Sequence, residues 1–199
     1  SIAGEIMPYQ NAEFDWLGMV IVPSLQAFYG GRDRELITRN VHERTIVSTI
    51  SCYMRNFIEQ TKNANPWIDN LSLDVEYNRN FTDSKRIYEK CQLCEESECS
   101  IKQIDNNQDI NIRNSIPDIL IHKRGSNEDN QVVIEFKTEP SGNEEIQHDY
   151  RKLSYFTCQY GEDVIRDYKF RIGFFILLGD PTYTIETFEN GRRLHRFPR

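Results

Sequence analysis

Two short apolar segments joined by a run of turn-forming residues constrain this chain more than any other feature. The segments are residues 116–122 and 131–138, and residues 123–130 between them read KRGSNEDN. Apolar runs of this length, bounded by Gly, Asn, Asp and Ser, are typical of β-strands, so the region predicts a β-hairpin. If the turn is centred between Ser126 and Asn127, Asp118 lies directly opposite Glu135.

The facing pair Asp118 and Glu135 would place two carboxylates close together on one face of the hairpin. Directly opposed side chains have Cβ atoms about 4.5–5.5 Å apart, and two carboxylates that close repel each other unless a cation lies between them. Mg²⁺ binds one or two carboxylates and keeps several waters, so it suits such a pair. A register slip of one residue would turn the two carboxylates to opposite faces.

Lys137 is expected on the same face as Glu135, because side chains two residues apart in a strand point the same way. Ile134 and Phe136 then face the other side. An acid pair with an ammonium group suits phosphodiester hydrolysis, in which a metal activates water and a lysine orients that water or offsets transition-state charge. The alternative is a plain ion pair between Glu135 and Lys137 at a strand end, with Asp118 capping a turn.

The stretch from Pro117-Asp118 to Glu135-Phe136-Lys137 resembles the PD-(D/E)XK motif of the restriction-endonuclease-like nuclease superfamily, including the apolar segments that carry both halves. The resemblance extends over roughly residues 35–180 in the order of elements. It implies that Asp118 and Glu135 bind a catalytic metal together with the backbone carbonyl of Phe136. It also implies that Lys137 acts on the attacking water.

Three further positions acquire a role from the same resemblance. Many members carry a glutamate on the helix before the sheet, and Glu43 is the best-placed candidate, with an exposed helix charge as the alternative. The helix after the E-x-K strand often carries a Lys or Gln that holds phosphate, which implies Lys152 or Gln159. Separately, Asp74 and Glu76 either supply another acid or belong to a solvated strand face.

The order of predicted elements indicates an α/β fold. Apolar residues recur every three or four positions across residues 33–62, which predicts one long helix or two abutting ones, and residues 143–159 repeat the pattern. The first thirty residues predict an irregular lead-in or short helices. Strands are predicted at residues 71–77, 116–122, 131–138, 170–178 and 183–188. A restriction-endonuclease-like mixed β-sheet flanked by helices accommodates this order, in a single domain 1–199 with a polar insertion at about 79–114.

Cysteine usage favours a reducing, cytoplasmic setting, since the five cysteines are an odd number and no secretion signal is evident. Cys91, Cys94 and Cys99 form a cluster. Zinc prefers four ligands and no fourth candidate lies near in sequence, so a loop with incidental thiols is favoured over a metal site. No apolar run approaches the length of about 18 residues that a membrane helix needs.

The net charge of −7 argues against a protein that grips nucleic acid by bulk electrostatics. It permits an enzyme that meets phosphate through a divalent cation and a few local basic residues. Basic residues concentrate in the tail, which is either such a local contribution or a solvated, frayed end. The tail residues are Arg192, Arg193, Arg196 and Arg199, with His195 between them.

The favoured function is a Mg²⁺-dependent endonuclease that hydrolyses DNA, in defence against foreign DNA or in repair, with Mn²⁺ as a substitute ion. Two alternatives stay open: a binding module that kept the fold and lost the chemistry, and a nuclease acting on RNA or branched nucleic acid. The resemblance alone implies a homodimer, because cutting both strands needs two sites. No membrane partner is expected.

Overall fold

A six-stranded mixed β-sheet lies at the centre of the protein in the computed structural model, which describes residues 14–76, 86–88, 112–114, 116–126, 129–158 and 169–198. The described strands are β1 (Ser72–Val75), β2 (Arg86–Tyr88), β3 (Ile112–Asn114), β4 (Ile119–His122), β5 (Asn130–Thr138), β6 (Ile172–Leu178), β7 (Tyr183–Glu189) and β8 (Arg192–Pro198). The sheet order is β1-β4-β5-β6-β7-β8, and β2 and β3 form a separate antiparallel pair. Within the sheet, β5 and β6 run parallel and the other neighbours run antiparallel.

Helices cover both faces of this sheet. They are α1 (Val22–Gly30), α2 (Glu35–Thr38), α3 (Glu43–Lys62) and α4 (Asn143–Thr157). α1 and α3 pack with Ile134 and Phe136 of β5 in one apolar core, whereas α4 packs with Leu120 and Val133 in another. The expected mixed sheet flanked by helices is therefore confirmed, and the face that carries Glu135 is the one beneath α4.

The helical region before the sheet is two helices rather than one. Apolar side chains at steps of four, namely Ile46, Ile50, Met54 and Ile58, form the buried stripe of α3. Asn40, with a φ of 50°, lies between α2 and α3, in a left-handed conformation that Asn tolerates well. This break places Glu43 at the first turn of α3, where the helix begins beside the end of β5.

The first described residues form helices, one of the two predicted outcomes. A π-helical turn at Leu17–Ile21 leads directly into α1, where Pro23 stands in the first turn because its missing N–H has no helical partner there. Leu25 and Phe28 of α1 are buried in the core beneath the sheet. Residues 1–13 lie outside the described part of the chain.

The basic tail forms β8, an edge strand that the sequence prediction missed. β7 and β8 are joined by Asn190-Gly191, whose φ angles of 51° and 78° are both positive, as in the two-residue turns that match the twist of a hairpin. The backbone of residues 192–198 therefore belongs to the sheet and is not frayed.

Gly191→Ala is expected to destabilise the protein more than Gly125→Ala does. Both glycines have positive φ, which costs a residue with a side chain about 1–2 kcal/mol. A Cβ at Gly125 meets nothing within 4 Å, whereas one at Gly191 lies 3.3 Å from the carbonyl oxygen of Ser154 and from Cβ of Cys158. We expect the melting temperature to fall by about 2–6 °C at Gly125 and by clearly more at Gly191. Equal falls would show that crowding against α4 plays no part.

Part of the sequence prediction falls on residues that the structure does not describe. Within the predicted insertion at 79–114, the described residues are those of β2 and β3. The cluster of Cys91, Cys94 and Cys99 lies outside the described residues, as does Gln159. Among the residues that are described, no helix has both the length and the apolar character needed to cross a membrane.

Candidate active site

The β4–β5 hairpin has the register that the sequence predicts near Asp118. Ile119 pairs with Ile134 and Leu120 with Val133, which continues to Asp118 opposite Glu135. Asp118 lies one residue before β4, and its Oδ2 accepts a hydrogen bond of 2.7 Å from the backbone N–H of Phe136. A bulge between Ile121 and His122 shifts the pairing only at the other end of β4, so it leaves the acid pair in place.

Glu135 is buried, with an exposed fraction of 1%. One of its carboxylate oxygens, Oε2, lies 2.7 Å from Nζ of Lys152 on α4. The other, Oε1, is buried and has no hydrogen-bond partner among the described residues. Burial raises the pKa of Glu135 well above its usual value, and the nearby Asp118 and Asp149 carboxylates add to the rise against the opposing effect of Lys152. This carboxylate therefore lies where a further cation would be stabilising.

Burial also raises the pKa of Asp118, to about 6. The hydrogen bond from Phe136 and the charges of Lys152 and Lys137 lower this pKa but do not outweigh the loss of solvation, and Glu43 raises it further. Asp118 and Glu135 thus hold protons more tightly than ordinary carboxylic acids. Such perturbed acids cluster at functional sites because the arrangement is costly for stability alone.

Lys137 lies between two carboxylates that come from opposite sides of the sheet. Its Nζ is 3.2 Å from Oε1 of Glu43 on α3 and 3.3 Å from Oδ2 of Asp149 on α4, and it donates a hydrogen bond of 3.2 Å to the carbonyl of Phe136. Burial alone would lower the pKa of Lys137, but the charges of Asp149 and Glu43 outweigh it and raise the pKa. Lys137 is therefore a fully charged ammonium group held at the end of β5.

Glu43 is at the site and is not merely an exposed helix charge. Its Oε1 accepts a hydrogen bond from Lys137, and its Oε2 accepts one of 3.1 Å from the backbone N–H of Thr138. The two bonds fix this carboxylate against the end of β5. The structure thus brings Glu43 together with Asp118, Glu135 and Lys137, although Glu43 is distant from them in sequence.

Lys152, which the resemblance implies would hold phosphate, also reaches this cluster, and there its side chain contacts carboxylates. It lies 2.7 Å from Glu135 and 3.3 Å from Asp149, and only 12% of its side chain is exposed. Burial would lower the pKa of Lys152, but the charges of Glu135 and Asp149 outweigh it and raise the pKa. In this arrangement Lys152 neutralises buried charge and holds Glu135 in place.

Asp149 is the member of the cluster that sequence reasoning missed. It is 3% exposed and lies on the buried side of α4, between the inward-facing Ile146 and Leu153. An aspartate at an inward-facing position of an amphipathic helix was the available signal, because charged residues are almost never fully buried without a partner. Helical spacing offers Lys152, three residues on, as one partner, but it does not reveal Lys137 on β5.

Asp74 and Glu76 do not join the cluster. Asp74 is buried on β1, where it accepts hydrogen bonds from Nε of Arg124 at 2.9 Å and lies 3.0 Å from Nε2 of His122. Glu76 forms an ion pair with Arg44. Asp74 is thus neither an additional site acid nor part of a solvated face, but one end of a separate buried polar group.

The charges of the cluster do not balance. Four carboxylates (Asp118, Glu135, Glu43 and Asp149) meet two ammonium groups (Lys137 and Lys152), which leaves a formal charge of minus two. A single divalent cation would offset that excess.

A divalent ion fits the residues that are present. Within the described part of the chain, no three acidic, His or Cys side chains form a ready-made metal cage. Mg²⁺ does not need one, since it binds through one or two carboxylates and keeps several waters. Asp118 and Glu135 supply that pair, and the buried oxygen Oε1 of Glu135 has no hydrogen bond in the described residues. The donor set of oxygen atoms is the one that Mg²⁺ and Mn²⁺ prefer.

An open cleft of about 720 Å³ reaches one side of the cluster from solvent, although Asp118 and Glu135 are not among the residues that line it. Glu43, Lys137 and Asp149 line it, together with the residues that lead into α4 and its first turns. The cleft mouth is mixed in charge, since it carries Glu144 and Glu145 as well as Arg151. A polar substrate that entered this cleft would meet Lys137 at its inner wall.

In comparisons with protein-family models, with curated proteins and with solved structures, nothing matches this chain. The geometry of Asp118, Glu135, Lys137 and Glu43 is therefore the guide to function.

Proposed function

We propose that this protein is a metal-dependent endonuclease that hydrolyses phosphodiester bonds of DNA, with the restriction-endonuclease-like fold and the PD-(D/E)XK motif. The observation that carries the proposal is the convergence of Asp118, Glu135, Lys137 and Glu43 at one end of the sheet, from segments far apart in sequence. The order of helices and strands predicted for residues 35–180 is also the order in the fold, from α3 through β1, β4, β5 and α4 to β6.

The chain's own residues account for positioning and charge. Asp118, Glu135 and the carbonyl of Phe136 would hold Mg²⁺ or Mn²⁺, which would lower the pKa of a water at the site and polarise the phosphoryl oxygen. Lys137 orients the attacking water and offsets charge in the transition state, which requires the charged form that Glu43 and Asp149 maintain. Glu43 keeps Lys137 at the wall of the cleft.

Two features support the further parts of the proposal, namely DNA as the substrate and a reducing, cytoplasmic setting. Of the two cysteines that the structure describes, Cys52 is an exposed free thiol. On strand β8 Arg192 is exposed at the sheet edge, where local positive charge can meet phosphate despite the net charge of −7, whereas Arg193 is paired with Glu186 at 3.2 Å. A homodimer would supply the two sites that a double-strand cut requires.

Purified protein is expected to cut supercoiled plasmid or single-stranded DNA with Mg²⁺ or Mn²⁺ and to be inactive in EDTA. Glu135→Ala and Lys137→Ala should each lower the rate by at least about a hundredfold, because each removes a group that stabilises the transition state. Lys62→Ala is the matched control, since Lys62 is a half-buried, ion-paired lysine on α3 away from the site. It should cut as the wild type does.

The outcomes separate the alternatives. Cutting that survives in both site variants would refute the assignment of the site. If no form of the protein cuts DNA, the next substrates to test are RNA and branched DNA. Isothermal titration with Mg²⁺ then shows whether the protein has lost its catalytic function. Equal, negligible metal binding by wild type and Asp118→Ala would favour a binding module that has lost its chemistry.

A further inference from the structure

Asp149 has a position that the motif does not account for. It lies in the middle of α4, it is 3% exposed, and its two carboxylate oxygens contact different lysines. Oδ1 accepts a hydrogen bond of 3.3 Å from Lys152 on the same helix. Oδ2 lies 3.3 Å from Nζ of Lys137 on β5, an ion pair that lacks hydrogen-bond geometry. Asp149 is thus the one described side chain that contacts both lysines of the cluster.

The contacts of Asp149 complete an alternating series of charges, Glu43–Lys137–Asp149–Lys152–Glu135, which we name the ion-pair chain. Its successive nitrogen–oxygen distances are 3.2, 3.3, 3.3 and 2.7 Å. The chain crosses from α3 through the end of β5 to α4 and returns to β5. Its two outer members are site carboxylates, and its central member is Asp149.

A lysine that takes part in a reaction must have its ammonium group held in place, and ion pairs on both sides provide such a constraint. The lysine side chain is a flexible four-carbon stem with a compact charge at the end, so its position must be fixed by its partners. Glu43 holds Lys137 from one side of the sheet, and Asp149 holds it from the other. The same Asp149 keeps Lys152 beside Glu135. Loss of Asp149 would release both lysines at once.

We propose that Asp149 is a positioning residue, which fixes Lys137 for the reaction and keeps Lys152 against Glu135. The inference rests on the proposed nuclease function and assigns Asp149 no contact with substrate. A purely structural ion pair is the competing explanation, and buried ion pairs are in general weak evidence for stability. The two explanations differ in what they predict for the rate of the folded variant.

The test compares Asp149→Asn and Asp149→Glu with the wild type in steady-state cleavage with Mg²⁺. An amide is uncharged and has one acceptor oxygen instead of two, so Asn cannot hold Lys137 and Lys152 with separate oxygens as Asp149 does, and a misplacement of about 1 Å can cost about a hundredfold in rate. We expect Asp149→Asn to lower kcat about 10- to 100-fold, with KM for DNA and the Mg²⁺ midpoint changed less than about threefold. Asp149→Glu restores the carboxylate and should recover part of kcat.

Asp74→Asn is the matched control, because Asp74 is also a buried, ion-paired aspartate but lies outside the ion-pair chain. It should lower the melting temperature and leave kcat of the folded protein unchanged. A double-mutant cycle in thermal unfolding tests the contact itself, independently of activity. The fall in melting temperature for Asp149→Asn with Lys137→Met should be smaller than the sum of the single falls, by at least about 2 °C.

Each result counts for or against the role of Asp149. If the wild type cuts with Mg²⁺ and Asp149→Asn has the same kcat, this inference is overturned and the proposed function stays intact. Additive falls in melting temperature overturn it as well, since the contact would then be absent. A wild type that cuts no nucleic acid at all overturns the proposed function, and the catalytic role of Asp149 is lost with it.

Discussion

Asp118→Asn is expected to remove metal-dependent cleavage and, in metal-free protein, to raise the melting temperature. The loss of activity follows from the loss of a charged metal ligand, which is worth several kcal/mol in the transition state, or at least about a thousandfold in rate. The gain in stability follows from the burial that raises the pKa of Asp118 to about 6. At neutral pH the folded protein must carry an ionised group that its surroundings disfavour.

Asparagine relieves that cost and keeps the local structure. Its side-chain oxygen can accept the 2.7 Å hydrogen bond that the backbone N–H of Phe136 donates to Asp118. The rise of the pKa from 3.8 to about 6 corresponds to about 3 kcal/mol at most. We therefore expect a gain of about 1–3 kcal/mol, or about 2–10 °C in melting temperature, for a domain of this size.

Cleavage rates with Mg²⁺ and melting curves in EDTA, at about pH 7.5, measure the two effects on the same samples. Asp69→Asn is the control, because its carboxylate is exposed and distant from the cluster. It should change neither quantity by much. Opposite changes in activity and stability are the expected mark of a functional carboxylate. A variant that is both inactive and less stable in EDTA would instead make Asp118 a structural residue of the hairpin.

Local rules were sufficient for the part of the site that lies on one hairpin. The two-residue period of a strand places Glu135 and Lys137 on a common face, and a turn assumed to be centred between Ser126 and Asn127 predicts the register that sets Asp118 opposite Glu135. The bulge between Ile121 and His122 was not foreseen, but it lies beyond the acid pair. Because these determinants are contained within about twenty residues, no long-range information was needed.

The remaining parts of the site depend on how distant segments pack. Glu43 belongs to the site because α3 begins beside Thr138, a contact between residues far apart in sequence that the helical pattern alone does not fix. Asp149 belongs to it because α4 lies over the face of β5 that carries Glu135 and Lys137. An inward-facing aspartate could have been noticed in the helical pattern. Its partner Lys152 lies three residues along the same helix and follows from that spacing, whereas its partner Lys137 could not be predicted because it is on another element.

The missed strand β8 has a different cause. The tail was interpreted from its charge, and Arg-rich composition does not exclude a strand at a sheet edge, where charged residues prevent pairing with other chains. The turn signal Asn190-Gly191 favours a hairpin strongly and was present in the sequence. The short-range turn rule therefore predicts β8, whereas the composition of the tail does not.

Mg²⁺ is expected to stabilise the protein strongly at about pH 7.5 and weakly at about pH 5. Protons compete with the ion for carboxylates whose pKa is raised, and Asp118, with a pKa of about 6, is mostly protonated at pH 5. Glu135, whose pKa is also raised, acts in the same direction. An ion at about a hundred times its dissociation constant adds about 2.7 kcal/mol, or about 5–10 °C. A tenfold weaker affinity at pH 5 would halve that gain.

The metal-free protein should show the opposite dependence on pH. Its folded state binds the protons of Asp118 and Glu135 more tightly than the unfolded chain does, so stability falls as the pH rises above about 4, and the part of the fall that belongs to Asp118 is complete soon above pH 6. Asp74 does not obscure this window. Burial would raise the pKa of Asp74, but Arg124 and His122 outweigh it and hold the pKa below its usual value, so its contribution is lost only at lower pH.

Melting curves at a series of pH values, with EDTA and with Mg²⁺, measure both dependences in one experiment. Asp118→Asn is the decisive comparison, since it should make the metal-free fall between pH 4 and 6 smaller, leaving the part that belongs to Glu135, and remove most of the Mg²⁺ effect at pH 7.5. A Mg²⁺ shift that is equal at both pH values, or that persists in Asp118→Asn, would place the ion at other residues. A shift that disappears in the variant and grows with pH in the wild type would locate the ion between Asp118 and Glu135.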